Sequence, residues 1–260
     1  MNESTETHAT SDKIALITGG SRGLGKNIAI HLARAGHDVI LTYRSQKEEG
    51  LAVAAEIEKL GRKAAVLPLD VGSAISFGAF QETLASVLQE KWGRKSFDFL
   101  INNAGIGVNA PFAQTTEADF DNLMNVHLKG TFFLTQKLLP LIADGGRIVN
   151  TSSGLARFSL PGYSAYAAMK GGIEVLTRYM AKELGPRRIN VNVIAPGAIE
   201  TDFTAAALGH PGVKEMIASS TALGRVGVPD DIGGVVAFLC SEAGRWVNGQ
   251  RLEASGGIFL

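Results

Sequence analysis

Two hydrophobic patterns alternate along the sequence, and this alternation limits the fold more than any other feature. Short continuous apolar runs, such as 14–18 and 39–43, are typical of strands that are buried on both faces of a parallel sheet. Longer segments with helical spacing of apolar residues, such as 51–60, lie between these runs. Strands that alternate with helices form βαβ units with right-handed crossovers. The pattern therefore predicts an α/β fold, with a mostly parallel, doubly wound sheet of Rossmann type flanked by helices.

The predicted elements form one domain over residues 12–260, because no internal repeat and no Pro/Ser-rich linker divides that part of the chain. The first eleven residues are polar, which predicts a disordered tail over 1–11. The predicted strands are 14–18, 39–43, 64–69, 97–101, 147–150 and 189–194, and the predicted helices end near Gly36 or span 51–60, 76–91, 117–142 and 163–184.

The charge balance and the apolar pattern exclude several classes of partner. Lys and Arg number 25 and Asp and Glu number 25, so the net charge does not favour nucleic acid or anionic lipid. No apolar run reaches the ~18 residues that indicate a membrane-spanning helix. The polar first eleven residues lack the apolar core of a signal peptide. The sequence therefore predicts no nucleic-acid partner and no membrane partner.

Cysteine and histidine usage bears on the compartment and on metals. The one cysteine, Cys240, has no partner for an intrachain disulfide, which favours a reducing, cytoplasmic setting. It follows the apolar run 235–239, so we expect it to pack in the core. The five histidines show no metal-ligand spacing, and no metal site is predicted. We interpret His127 as a helix-packing residue.

A glycine-rich segment with the spacing Gly-x3-Gly-x-Gly lies between the first strand and its helix. Small residues there let the backbone turn sharply and bring amide N–H groups, with the positive helix end, up to a pyrophosphate. A plain βα loop is the alternative, but the placement between strand and helix favours a dinucleotide site. The candidate residues are Gly19, Ser21, Arg22, Gly23, Leu24 and Gly25.

The end of the second strand bears on the choice between NADP and NAD. It carries Tyr43 and Arg44, and the first acidic residue after them is Glu48. An acidic side chain at this point binds the ribose of NAD, whereas Arg accommodates the 2′-phosphate of NADP. Arg22 and Arg44 together predict NADP, with NAD as the alternative if Arg44 is only a solvated loop residue.

Asp70 and Val71 follow the third predicted strand. The Asp70 carboxylate suits either the adenine amine of a dinucleotide or the cap of the next helix.

Tyr166 and Lys170 are four residues apart in a predicted helix and therefore lie on one face. Free tyrosine has a pKa near 10, and we expect a nearby ammonium to lower the pKa of Tyr166 toward neutral pH. The hydroxyl of Ser153, in the turn after the fifth strand, suits a hydrogen bond to a substrate oxygen on which charge develops. Tyr-x3-Lys alone is also a common surface pair.

The combined motifs resemble the short-chain dehydrogenase/reductases over 13–260. Besides the glycine-rich turn and the Tyr-x3-Lys pair, the match rests on Asn-Asn-Ala-Gly at 102–105, on Asn125, and on Ser153, which lies thirteen residues before Tyr166. The resemblance implies a sheet of about seven strands, and usually a homotetramer or a homodimer. It also implies hydride transfer between NADP(H) and a carbonyl or alcohol.

The resemblance assigns roles to individual residues. Tyr166 resembles the catalytic acid/base, Lys170 the residue that holds the nicotinamide ribose and lowers the Tyr166 pKa, and Ser153 the group that polarises the carbonyl. Asn125 resembles the residue that keeps a water in a proton relay toward Lys170. Ser255 stands where the family commonly has Asp, which we interpret as neutral for catalysis.

Further segments resemble cofactor walls. Those beside the adenosine ribose are Asn103, Ala104 and Gly105, and those around the nicotinamide are Pro196, Gly197, Ile199 and Thr201. Asn-Gly-Gln at 248–250 and Gly-Gly at 256–257 resemble the family's C-terminal strand.

The substrate is expected to contact 155–163 and the largely apolar stretch 203–223, which suits a mobile lid. A small-molecule ketone is therefore predicted, with a 3-ketoacyl thioester as one instance. An NAD-dependent alcohol or polyol dehydrogenase is the alternative enzyme. A non-catalytic NADP(H)-sensing protein is the alternative from another class, and it predicts a damaged Ser–Tyr–Lys set.

Overall fold

The computed structural model describes residues 13–260, and its centre is a parallel sheet of seven strands. The strands are Ile14–Ile17 (β1), Asp38–Tyr43 (β2), Ala64–Pro68 (β3), Phe97–Asn102 (β4), Ile142–Thr151 (β5), Asn190–Pro196 (β6) and Arg251–Ala254 (β7). Their order is β3-β2-β1-β4-β5-β6-β7, and every neighbouring pair is parallel. The predicted Rossmann-type sheet is confirmed. The predicted tail 1–11 lies outside the described residues.

Helices cover both faces of the sheet. They are Gly23–Arg34 (α1), Lys47–Lys59 (α2), Phe77–Trp92 (α3), Glu117–Leu123 (α4), Gly130–Leu138 (α5), Ser164–Glu183 (α6), Asp202–Leu208 (α7), Val213–Ser219 (α8) and Asp230–Cys240 (α9). Side chains of a strand alternate between faces. Accordingly, Ala15 and Ile17 of β1 pack with α1, α2 and α9, whereas Ile14 and Leu16 pack with α3 and α5.

Cys240 closes α9 in the first of these two core layers and is 3% exposed. Burial raises the pKa of its thiol to about 12, so the side chain packs as an apolar group, as predicted. No helix within 13–260 is long and apolar enough to cross a membrane.

The predicted continuous helix 117–142 is wrong in its middle and at its end. The chain forms α4, then the π-helical segment Met124–Lys129, then α5 and a 3₁₀ turn, and Ile142 already belongs to β5. An added Cβ at Gly130 would lie 2.2 Å from the Val71 carbonyl oxygen. The helix therefore widens where it packs against the loop after β3, a tertiary contact that periodicity does not reveal.

Strand β5 begins five residues before the predicted 147–150. Its register shifts between Phe97 and Phe99 of β4, and Gly145 takes a left-handed conformation at φ 77°. An irregular, glycine-containing start of this kind has no alternating apolar pattern. The C-terminal helices α7 to α9 were likewise not assigned from periodicity.

The order of the strands positions the site. The chain leaves β1 toward β2 and β3 on one side, and then crosses back to β4 on the other. Ligands bind at the carboxyl ends of the strands where the strand order reverses in such sheets, which here is at β1 and β4.

Candidate active site

The glycine-rich turn after β1 is packed against the turn after β4. Gly19 has φ 64°, and a Cβ there would lie 3.0 Å from the Ala104 Cα. A Cβ at Gly25 would lie 2.1 Å from the Gly19 carbonyl oxygen, so only glycine fits. The Asn103 side-chain amide donates to the carbonyls of Thr18 and Gly19 at 3.0 and 3.2 Å. These contacts hold the two turns together as one surface.

The N-terminus of α1 opens onto this surface. Arg22 is its N-cap and makes no side-chain cap, and the first turn carries no acidic residue. Gly23 has φ 53° and lies within 3.7 Å of the Thr201 side chain, counted from an added Cβ. Uncapped amide N–H groups and the positive end of a helix suit a pyrophosphate. The residues present therefore fit a dinucleotide, with Ser21 and Leu24 in the same turn.

The two arginines expected at the 2′-phosphate differ in their surroundings. Arg44 follows Tyr43 at the end of β2, is exposed, and forms no ion pair with another residue in 13–260. Arg22 Nη1 lies 3.6 Å from the Asp202 carboxylate on α7. The structure therefore leaves Arg44 uncommitted, while Arg22 is paired.

Asp70 does not cap a helix. Its carboxylate accepts from the Gly72 amide at 2.9 Å, and the next two helical segments begin after Ser73 and Ser76 without side-chain caps. Capping of the next helix is therefore wrong, and contact with the adenine stays a prediction.

The turn after β5 and helix α6 bring the three chemical groups together. Lys170 is 4% exposed, and its Nζ donates to the Thr151 carbonyl at 2.6 Å. The same Nζ lies 5.6 Å from the centre of the Tyr166 ring. Ser153 has an extended backbone directly after β5, and its side chain lies close enough to Tyr166 to oppose the rise of the Tyr166 pKa. The set Ser153, Tyr166 and Lys170 is therefore assembled.

Burial dominates the titration of this set. It raises the pKa of Tyr166 to about 12, against the opposing effect of the hydrogen bond with Ser153. Burial also lowers the pKa of Lys170 to about 7. The expected lowering of the Tyr166 pKa is therefore wrong for the ligand-free protein, because burial of the phenol itself outweighs the groups that favour its charged form. Tyr166 is a neutral phenol at neutral pH and carries a proton to donate.

Asn125 lies in the π-helical segment Met124–Lys129, which packs against α6. Its backbone carbonyl accepts from the Gly130 amide, which is the i→i+5 bond of the widened turn. Its part in a water relay toward Lys170 stays a prediction.

His127 belongs to the site, although the sequence indicated only helix packing. The imidazole is 2% exposed. Its ring stands edge-on to Tyr166 at 86°, with 5.1 Å between ring centres. The one sequence signal for this role is its place two residues after Asn125.

The segment after β6 forms the opposite wall. Gly197 donates to the Ala254 carbonyl at 3.2 Å, and a Cβ at Gly197 would lie 2.9 Å from Ser255. Ile199 is buried, and Thr201 is the N-cap of α7, where its backbone amide donates to the Thr204 hydroxyl at 3.1 Å. The segment between the end of β6 and the start of α7 therefore contains the predicted nicotinamide residues, which are Pro196, Gly197, Ile199 and Thr201. Its Thr201 end approaches the glycine-rich turn at Gly23.

Helix α7 places an aromatic side chain beside the tyrosine. The ring centre of Phe203 lies 6.3 Å from that of Tyr166, and Phe203 is 53% exposed. A Cβ at Gly107 would lie 3.1 Å from the Phe203 ring. Phe203 therefore forms a half-exposed aromatic wall beside Tyr166.

An ion-pair network behind the site was not foreseen. Ser152 donates to Glu174 at 2.7 Å, and Arg251 donates to the same carboxylate at 2.6 Å. Arg251 also donates to the Ser153 carbonyl at 3.3 Å. The network separates the two adjacent serines: Ser152 is used in structure, and Ser153 faces Tyr166.

Comparisons with known proteins identify the family of this chain. The sequence profile described as enoyl-(acyl carrier protein) reductase matches residues 19–258. The hydroxynaphthalene reductase-like protein Arp2 of Metarhizium brunneum is 37% identical, covering 99% of both chains. The short-chain dehydrogenase/reductase FrzI of Cladobotryum sp is 40% identical over 95% of this chain and 96% of its own. The structure of the angucycline C-6 ketoreductase LanV with bound NADP superposes with a TM-score of 0.90 at 38% identity, covering 95% of both chains. The chain belongs to the short-chain dehydrogenase/reductase family.

Proposed function

We propose that this protein is an NADPH-dependent ketoreductase that reduces a ring carbonyl of a fused aromatic substrate. The observation that carries the proposal is the Tyr166 side chain beside the Phe203 ring, with the Ser153 side chain near enough to lower the Tyr166 pKa. Two hydroxyl donors converging next to an aromatic wall suit the oxygen of a flat ketone. The similarity to a hydroxynaphthalene reductase-like protein and to an angucycline ketoreductase supports this substrate class.

In the proposed reaction, bound NADPH supplies a hydride to the carbonyl carbon. Tyr166 donates its phenolic proton to the carbonyl oxygen, and Ser153 donates a hydrogen bond to the same oxygen as negative charge develops there. Lys170, held by the Thr151 carbonyl, places its ammonium beside the Tyr166 ring and stabilises the phenolate that results.

The titration of Tyr166 favours reduction over oxidation. Reduction uses the protonated phenol, which is the form present at neutral pH when the pKa is about 12. Oxidation of an alcohol needs the phenolate first. We therefore expect oxidation of an alcohol to be faster at higher pH.

Arg44 supports NADPH as the cofactor. It is exposed at the end of β2 and is uncommitted to an ion pair within the described part of the chain. A planar guanidinium suits the 2′-phosphate that distinguishes NADP from NAD. The similar ketoreductase LanV was solved with NADP.

We further propose that the protein acts as a homo-oligomer in the cytoplasm. Large apolar side chains on α5 and α6 are 42–65% exposed, which favours an interface between subunits; they are Phe132, Phe133, Val175 and Tyr179. The lone, buried Cys240 agrees with a reducing compartment. Light scattering on the purified protein distinguishes monomer, dimer and tetramer.

Consumption of NADPH with a panel of substrates tests the main proposal. We expect a bicyclic aryl ketone such as a tetralone to be reduced with a higher kcat/KM than an acetoacetyl thioester, an enoyl thioester or a keto sugar. Phe203→Leu is the matched variant, since it keeps an apolar side chain and removes the ring. It should raise KM for the tetralone about 5-fold, the order expected of one aromatic pair, and leave KM for the thioester unchanged.

A higher kcat/KM for the acetoacetyl thioester would replace the aromatic substrate with a 3-ketoacyl one. If the enoyl thioester is the one substrate of the panel that is reduced, the protein reduces a C=C bond and not a carbonyl. Absence of any NADPH-dependent turnover would overturn the proposed function.

A further inference from the structure

His127 is a buried titratable side chain beside Tyr166 that the proposed reaction does not use. Its Nε2 lies 2.7 Å from the carbonyl oxygen of Ile106, in the turn after β4. A carbonyl oxygen only accepts, so Nε2 carries the ring proton. The Ile106 amide approaches the same nitrogen at the longer distance of 3.3 Å and is the weaker contact. The neutral imidazole therefore has an unprotonated Nδ1, which is an acceptor.

This Nδ1 is buried and has no hydrogen-bond partner among residues 13–260. Its edge of the ring faces Gly105, where a Cβ would lie 2.8 Å from Cε1 and 3.5 Å from Nδ1. Gly105 is one of the residues expected to line the cofactor ribose. A buried acceptor without a partner is unfavourable, and native proteins keep few of them.

The remaining neighbours of the imidazole tie it to the reacting groups. Tyr166 lies edge-on at 5.1 Å, and the Lys170 charge lies near enough to oppose protonation of the ring. Burial, and then Lys170, lower the pKa of His127 to about 3. His127 thus stays neutral at working pH, and proton transfer is excluded as its role.

We propose that His127 is a positioning residue of the reductase site, in which Nε2–H holds the turn at Ile106 and Nδ1 accepts a hydrogen bond from one hydroxyl group beside Gly105. That hydroxyl belongs either to an ordered water or to a ribose of the bound dinucleotide, since both present an O–H donor. The inference rests on the proposed function, because it assigns His127 to the same site.

Three variants separate the two contacts. His127→Asn keeps a side-chain acceptor near the position of Nδ1, whereas His127→Gln keeps an N–H near the position of Nε2. His127→Phe keeps only the ring against Tyr166. We expect the Phe variant to lower kcat about 30-fold with the tetralone and the Asn variant to recover about 10-fold of that loss, in line with one hydrogen bond of a site. The Gln variant should recover less.

All three variants lose the same buried imidazole and differ only in the hydrogen-bonding atoms that remain. A difference in kcat among them therefore reports on those atoms and not on loss of the ring. Thermal midpoints of the three should be similar, so that a difference in kcat does not reflect folding. Equal kcat in the wild type and the Phe variant would overturn the proposal. So would recovery by Gln and not by Asn, since the acceptor would then be irrelevant.

Nitrogen NMR on protein labelled with ¹⁵N-histidine tests the same acceptor without turnover. The His127→Asn spectrum identifies the signals of His127. A hydrogen-bonded Nδ1 in the ligand-free protein indicates a water, and a bond that forms only on addition of NADPH indicates a ribose hydroxyl. An unbonded Nδ1 in both states, or a proton on Nδ1, would overturn the proposal. If Nδ1 accepts a hydrogen bond but the protein reduces no ketone, the proposed function is wrong and the acceptor role of His127 stands.

Discussion

Charged and titratable groups occupy two regions of the site, an exposed rim and a buried interior. At the rim, Arg22 pairs with Asp202 at 3.6 Å, and both side chains are more than half exposed. In the interior, burial raises the pKa of Tyr166 to about 12 and lowers the pKa of Lys170 to about 7, so that both groups favour the neutral form. Water screens the rim but not the interior.

This difference determines which property each region controls. Interior groups are held neutral in the ligand-free protein, so that protonation states change only when a partner compensates the charge. Rim groups keep their charge at all times and act through attraction to a phosphate, which depends on salt. Variants in the interior should therefore change rate and stability strongly, and variants at the rim should tune affinity.

The largest effect is expected for Tyr166→Phe, which removes the proton donor and keeps the ring. Loss of one general acid lowers kcat by about 10³- to 10⁴-fold. Binding of NADPH, followed by nicotinamide fluorescence, should stay within about twofold because the phenyl ring preserves the packing. A variant with near-normal turnover would show that the interior does not supply the proton.

Lys170→Met tests the interior through stability. An unfolded lysine keeps its ordinary pKa of 10.5, so above the folded value of about 7 the unfolded chain binds more protons than the folded one. The free energy of unfolding of the wild type therefore rises with pH, by about 1.5 kcal/mol from about pH 7 to about pH 8.5. Lys170→Met should lack this rise.

Urea denaturation of the ligand-free protein at these two pH values measures the difference. The window ends below the ordinary pKa values of cysteine and tyrosine, because the raised pKa values of Cys240 and Tyr166 reverse the slope above it. If the free energy of unfolding rises equally with pH in the wild type and the variant, the Lys170 ammonium is in contact with water. The interior would then not differ from the rim in its electrostatics.

The chemical groups of the interior were predictable from sequence, because local spacing decides them. Tyr166 and Lys170 share a helix face through i, i+4 spacing, and Ser153 follows a strand directly. Strand ends of a parallel sheet converge at one edge, so the order of strands and motifs was enough to place these residues together. The same holds for the glycine-rich turn.

The electrostatic state of that interior was not predictable. It depends on burial, which reversed the expected direction for the Tyr166 pKa. The widened turn at Met124–Lys129, which carries His127, depends on Gly130 meeting the loop after β3. The network of Ser152, Glu174 and Arg251 joins positions 22 and 77 residues apart. Contacts of this kind have no local signature.

At the rim, Arg44→Ser should weaken NADPH binding by about 10-fold, the order of one charge-assisted contact with a phosphate. Binding of NADH should not change, because NADH lacks the 2′-phosphate. The difference in the wild type's affinity for NADPH and NADH should become smaller as the salt concentration is raised. Arg245→Ser is the matched control, since Arg245 is exposed but precedes β7, at the opposite edge of the sheet.

Equal losses for NADPH and NADH would instead make Arg44 a general contact of the rim. The preference for NADPH would then need another source, and Arg22 would be the next residue to replace.

The smallest effect is expected for Asp202→Asn, which removes the partner of Arg22 and keeps the shape of the side chain. An exposed pair of this kind contributes ~0.5 kcal/mol or less, so the free energy of unfolding should hardly change. Release of Arg22 leaves its guanidinium available to a phosphate, and NADPH should bind up to about twofold more tightly at low salt. A double-mutant cycle with Arg22→Gln isolates the pair, because the Asn effect on affinity should vanish in that background. A coupling free energy above about 1 kcal/mol would mean that water does not screen the Arg22–Asp202 pair. The pair would then hold α7 against the glycine-rich turn.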